Sequence, residues 1–155
     1  MTIDTGLEDN ARKAIAEELK RVLADSYALY VKTQNYHWNV TGPLFKSVHD
    51  MTEAQYMALA TANDDIAERI RALGVKAPGG YKAFSELSGI ADGDENLPAD
   101  KMIGDLVKGH EHVVKSARKA IEIADTAGDE ATVDLLVTRL EDHEKQAWML
   151  RSLNG

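Results

Sequence analysis

Cysteine is absent from the 155 residues. That excludes a disulfide framework and any thiolate-held metal, and it suits a reducing compartment. Proline is scarce, with three residues at positions 43, 78 and 98. The long stretches between them lack the one residue that reliably breaks a helix. They are rich in Ala, Leu, Glu, Lys and Arg, the better helix formers. No apolar run approaches the roughly 20 residues that a membrane span needs. Met1 to Asn10 show neither the basic nor the apolar region of a secretory leader, so a cytoplasmic protein is expected. Positive charge is also short: 18 Lys and Arg face 26 Asp and Glu, a net charge of −8. Such a balance argues against a generic nucleic-acid surface and suits a protein that attracts cations. Internal repeats and low-complexity segments are missing too. The length is that of a single domain, spanning residues 1–155.

What is present is helical periodicity. Ile15, Leu19, Val22, Leu23, Leu29, Tyr30 and Thr33 recur at three-to-four spacing and predict a helix over about residues 10–38, with Asn10 as a candidate cap. Asn39 to Gly42 break it, and Pro43 suits the first turn of a second helix, about 44–73, stopped by Gly74. Residues 74–97 read as a long connection carrying a short helix near 82–87. Asn96 and Pro98 open a third helix, about 98–127, in which Gly104 and Gly109 suggest a close packing contact. Gly128 ends it, and Asp129 can cap a fourth, about 129–153. The apolar positions of that fourth helix include Val133, Leu136, Val137, Leu140, Ala147, Trp148 and Leu150. Four long helices with their longest link between the second and third describe an all-α, ferritin-like four-helix bundle with one crossover.

The second helix carries two stripes. Phe45, Val48, Thr52, Leu59, Ile66, Ile70 and Leu73 form the expected core face. His49, Glu53, Met57, Ala60, Asp64 and Glu68 form another, centred roughly 130° away. The metal-ligand pattern of an ordinary ferritin-like bundle, Glu-x-x-His on two helices, does not occur: none of the five His (37, 49, 110, 112, 143) has Glu three residues earlier. His49/Glu53 and Asp64/Glu68 are i, i+4 pairs, each on one helix face. They lie about 22 Å apart along the axis, too far to hold one ion. Rotating the helix against an antiparallel copy, about a two-fold axis between residues 58 and 59, solves this. His49/Glu53 of one copy then meet Asp64/Glu68 of the other, with Met57 and Ala60 at the crossing. His37, next to them through the short turn, completes the set. Imidazole with carboxylate suits Fe(II), Zn(II) or Mn(II). The bland alternatives are a solvated helix face for each acid pair and a satisfied interface residue for His37. His110, His112 and His143 are assigned no role.

Lys32-Thr33-x-x-Tyr36-His37-Trp38-Asn39-Val40-x-Gly42-Pro43-x-Phe45-x-x-x-His49, then Glu53-x-x-Tyr56, then Asp64-x-x-Ala67-Glu68-Arg69-Ile70-x-x-Leu73-Gly74, resembles the Dps family of mini-ferritins. The fourth helix, with Thr132, Asp134, Arg139 and His143-Glu144-Lys145-x-Ala147-Trp148-Met149-Leu150-Arg151, is similar to the same family. The resemblance covers nearly the whole chain; Glu53 departs from it mildly, standing where some members have Asp. It implies a hollow dodecamer that oxidises Fe(II), commonly with hydrogen peroxide, stores ferric mineral and protects against oxidative stress in stationary phase. It implies ferroxidase sites at two-fold interfaces, built from His37, His49 and Glu53 of one subunit and Asp64 and Glu68 of its mate, with zinc or manganese as substitute metals. It also suggests that Asp129, Glu130 and Asp134 line an iron-entry pore, helix-dipole acids being the alternative. Trp38 is implied as a radical trap, against an interface aromatic. DNA binding in the family usually rests on a Lys/Arg-rich tail; this chain's first basic residues are Arg12 and Lys13, and little follows Arg151. Weak or absent DNA binding is therefore expected. A DNA-compacting nucleoid protein whose metal site is mainly structural stays open, as does a plain helical dimer holding zinc or no metal.

Overall fold

In the computed structural model, which describes residues 1–155, the chain is five helices and no strand. α1 spans Asp9–Asn39, α2 Phe45–Ala72, α3 Tyr81–Leu87, α4 Ala99–Thr126 and α5 Glu130–Asn154. α1/α2 and α4/α5 are antiparallel hairpins, and the link between them carries the short α3. None of the helices is long and apolar enough to cross a membrane.

The punctuation acts mostly as expected. Gly74 and Gly128 take positive φ just beyond α2 and α4, a conformation that only glycine adopts without strain. The Asp129 carboxylate accepts from the Thr132 backbone N–H and so caps α5. Two details differ. α1 begins with Glu8 as its cap residue, so Asn10 lies inside the helix. Of the two glycines in α4, only Gly109 meets a close neighbour: a Cβ there would come within 2.6 Å of Leu29 Cδ1, whereas Gly104 faces open space.

Two apolar clusters fill the bundle. At one end Ile15, Leu19, Leu23, Ile66, Ile70 and Leu136 pack together; at the other, Leu29, Tyr36, Leu59, Ile103, Leu106 and Leu150 do. Fully burying each such side chain stabilises the fold by about 1.5–3 kcal/mol. Polar residues lie around the waist: Ser26 donates to Asn63, Gln55 pairs with Gln146, and His110 contacts His143. Three expected core residues are instead exposed: Phe45, Val137 and Trp148. Val137 and Trp148 each follow a buried residue, Leu136 or Ala147, by one position, about 100° round the helix, and Phe45 is the first residue of α2.

The crossover is latched to the bundle by one buried carboxylate. Asp25 on α1 accepts from Ser88 Oγ and Gly89 N, both at 2.8 Å, and from Ser116 Oγ and His112 Nε2 on α4. Phe84 of α3 stacks on Tyr27 with ring centroids 4.5 Å apart. These contacts give the long link a fixed path over α1.

Candidate metal centre

His37 closes α1 and His49 opens α2, so the Asn39–Leu44 turn brings the two rings face to face. Their centroids are 3.8 Å apart and the planes 14° from parallel. The hydrogen bonds are reciprocal: His37 Nδ1–H donates to the His49 carbonyl at 2.7 Å, and His49 Nδ1–H donates to the His37 carbonyl at 2.9 Å. Each bond fixes its ring as the Nδ1–H tautomer. Each Nε2 is then a free lone pair, the arrangement in which an imidazole binds a metal with its other nitrogen anchored. Phe45 stacks on His49 at 5.1 Å, and Tyr56 meets His37 edge-on at 5.2 Å. Thr52 Oγ1 lies 3.3 Å from His37 Nδ1. The exposed Phe45 thus has a role that its place on the apolar stripe concealed: it holds an imidazole.

The acids stand apart. Glu53, Asp64 and Glu68 are all exposed on α2, and nowhere in the single chain do three His, Asp or Glu side chains gather around one point. The structure brings His37 and His49 together and leaves Asp64 and Glu68 farther along the helix, as helix geometry requires. The α2 face between them carries Met57 at 62 % exposure with Ala60 also exposed, and Trp38, next to His37 in sequence, is exposed at 65 %. Large apolar side chains alternate here with carboxylates, without a partner in the chain.

The three acids at the start of α5 are placed differently from one another. Asp129 is 3 % exposed and pairs with Arg69 at 2.8 Å while accepting from Thr132. Burial pushes its carboxyl up, but the Thr132 hydrogen bonds and the Arg69 guanidinium outweigh that and hold it below its ordinary value. Its lone pairs are committed to the fold, so the helix-cap role applies to it. Glu130 and Asp134 are exposed and, together with Asp129, border one depression with Asp125, a carboxylate that sequence reasoning did not single out.

Sequence reasoning also missed the supports of the imidazole pair. The signal was present: Phe45, Thr52 and Tyr56 lie at i−4, i+3 and i+7 from His49, all on its side of the helix.

An antiparallel pair of helix hairpins joined by a crossover, with paired imidazoles at a hairpin's end, defines a ferritin-like bundle without the in-bundle iron ligands. The ferritin-like domain model matches residues 16–155. A low-temperature-induced protein of a Nostoc species is 40% identical over 152 residues, 97% of this chain and 85% of that protein. The DNA protection during starvation protein 2 of Bacillus anthracis is 38% identical over 140 residues, 90% of this chain and 96% of that one. The crystal structure of a Dps protein from Vibrio cholerae O1, described as a member of a broad superfamily of ferritin-like diiron-carboxylate proteins, superposes with a TM-score of 0.94. It is 27% identical, with 100% of this chain and 98% of that one covered. The chain belongs to the Dps family of ferritin-like proteins.

Proposed function

We propose that the chain is an iron-oxidising, iron-storing mini-ferritin whose ferroxidase site forms only where two copies meet. One copy supplies His37, His49 and Glu53, and the other supplies Asp64 and Glu68. The observation that carries this reading is the stacked imidazole pair, with both Nδ1 atoms anchored and both Nε2 atoms free. Iron is the substrate and cargo; zinc and manganese suit the same donors as substitutes. Two Fe(II) each give one electron to one hydrogen peroxide, which with two protons leaves as two waters. Pairing the electrons avoids releasing a hydroxyl radical. Within the chain, the carbonyls of His37 and His49 hold the imidazoles in the ligating tautomer, and Phe45 and Tyr56 limit water on the rings. Trp38, exposed and next to His37 in sequence, serves to intercept stray radicals. Glu130 and Asp134, rather than the committed Asp129, are the acids to line an entry pore in a hollow dodecamer.

The test is anaerobic loading with Fe(II), then peroxide, then native mass measurement. A dodecamer-sized particle retaining ferric iron is expected. A monomer or dimer, or iron oxidised and precipitated at the buffer's own rate, would defeat the reading.

The proposal places the protein in the cytoplasm, acting in stress protection, with DNA binding weak or absent. A net charge of −8 per chain repels phosphate. In a gel-shift titration at low salt without divalent metal, no stoichiometric shift is expected; a clear shift would favour the nucleoid-compacting alternative.

A further inference from the structure

The aromatic contacts of α1 and α2 do not stop at the candidate metal centre. From His37 they continue as a string of rings across the hairpin. Tyr56 meets His37 edge-on at 5.2 Å, Tyr30 meets Tyr56 edge-on at 6.0 Å, and Tyr27 lies 5.6 Å from Tyr30. Each separation is a contact distance for aromatic rings. Tyr27 and Tyr30 are i, i+3 on one face of α1, and Tyr56 reaches them from α2. Tyr27 borders an open surface depression with Val31, Tyr81, Phe84 and Ile90, so the string runs from the imidazole pair to solvent. Phenylalanine would fill the same space by packing alone. Three hydroxyls are there instead, on rings that are only partly buried. Tyr30 accepts from Gln34 at 3.2 Å, and no group in the chain takes the hydroxyl proton of any of the three. Tyr36 is the contrast: it is fully buried, donates to Asp105 at 2.6 Å and stands outside the string.

We infer that Tyr56, Tyr30 and Tyr27 form an electron relay that serves the candidate ferroxidase site when only one Fe(II) is bound; this rests on the ferroxidase reading of the imidazole pair. Hydrogen peroxide needs two electrons to become two waters, and one Fe(II) gives one. Without a second donor the O–O bond breaks to water and a hydroxyl radical. Tyr56, in contact with His37, gives the missing electron together with its hydroxyl proton. One Fe(II), Tyr56–OH, one hydrogen peroxide and one proton then become Fe(III), the Tyr56 phenoxyl radical and two waters. Tyr30 next passes one electron and one proton to Tyr56, and Tyr27 does the same for Tyr30. A phenol stays protonated at pH 7, so every step moves a proton with the electron, and water at the partly buried rings can carry it. Electron tunnelling falls off exponentially with distance, so a string of contacts outruns one long jump. Phe84 stacks on Tyr27 at 4.5 Å but has no hydroxyl proton to give, so the radical rests on Tyr27. At the depression a soluble one-electron reductant of the ascorbate class returns an electron and a proton to Tyr27. The oxidising equivalent thus leaves the site without a hydroxyl radical being released.

The test has an iron-free arm and an iron arm. The chain has no cysteine, so a ruthenium tris(bipyridine) photo-oxidant can be attached at Glu53→Cys alone, i, i+3 from Tyr56. Flash-quench should then produce a tyrosyl radical whose decay quickens as ascorbate is raised. Tyr30→Phe cuts the relay in the middle: the radical should still form, on Tyr56, and its decay should no longer follow ascorbate. In the iron arm, unlabelled protein receives Fe(II) well below one per site, then peroxide, and is frozen for electron paramagnetic resonance. A tyrosyl signal that ascorbate clears is expected in the parent, and one that survives ascorbate in Tyr30→Phe. A flash arm without a tyrosyl radical, equal ascorbate sensitivity with and without Tyr30→Phe, or spin-trapped hydroxyl radical without a tyrosyl signal at low iron would each overturn the relay. Absence of peroxide-driven Fe(II) oxidation at full loading, with the flash arm as expected, would instead defeat the ferroxidase reading and leave the electron path standing.

Discussion

Replacing His37 and His49 together by alanine should slow peroxide-driven Fe(II) oxidation by about 100-fold or more. Loss of a group that only orients a ligand commonly costs 10–100-fold, and here two ligands go at once. The effect should fall on the oxidation rate, read by stopped-flow absorbance of the ferric product. Asp64, Glu68 and Met57 on the exposed α2 face are untouched, so native mass should still show the assembled shell. The variant does lose the two reciprocal bonds that join the end of α1 to the start of α2. Neutral hydrogen bonds contribute about 1 kcal/mol each, so a modest fall in Tm is expected with the oxidation defect. Unchanged kinetics in an intact shell would remove these residues from the site.

The second large effect is acid sensitivity from the buried waist. Burial pushes His110 down to about 3, with His143 nearby adding to the shift, and burial together with Arg139 pushes His143 down to about 3. Unfolded histidines titrate near 6.5. Between these values the unfolded chain binds two protons that the folded chain refuses. The folded values lie below the unfolded ones, so this stability is complete above about pH 6.5 and is lost as pH falls towards 3. The slope is on the order of 3 kcal/mol per pH unit for the two groups together. Urea midpoints measured from pH 7 to 4 should fall steeply, and the double variant His110→Leu/His143→Leu should flatten the curve. Replacing both partners by apolar groups of similar size is often nearly neutral at pH 7, so the variant should still fold. A double variant as acid-labile as the parent would place the sensitivity elsewhere.

Much of the architecture can be read from residue pattern. Periodicity of 3.6 and the glycines at 74 and 128 locate the helices within a few residues, and the long link between α2 and α4 suggests the crossover. The margins of stripes are harder. Phe45, Val137 and Trp148 have the chemistry of core residues yet are exposed, Val137 and Trp148 one position past the buried Leu136 and Ala147. Spacing makes the split of the candidate site visible: 15 residues between His49 and Asp64 forbid a shared ion within one chain. The stacking of His37 on His49 is not visible in spacing, because it depends on the path of the turn. His110 and His143 illustrate a different loss. His110 lies between Leu106 and Val113, and His143 between Leu140 and Ala147, each at helical spacing on an apolar stripe. Such spacing is that of an inward-facing residue, but the meeting of two residues 33 positions apart in sequence depends on the register between α4 and α5.

The central claim is that the ferroxidase site is shared between copies, and co-assembly of two crippled chains tests it most directly. One chain carries His37→Ala and His49→Ala; the other carries Asp64→Asn and Glu68→Gln. Each alone should be inactive. After joint unfolding and reassembly at equal amounts, random pairing makes half of the two-fold contacts mixed, and a mixed contact rebuilds one of its two sites from the intact halves. About a quarter of wild-type peroxide-driven Fe(II) oxidation should return. If each site lay within one chain, every chain in the mixture would carry a broken one, and the co-assembled shell would stay inactive.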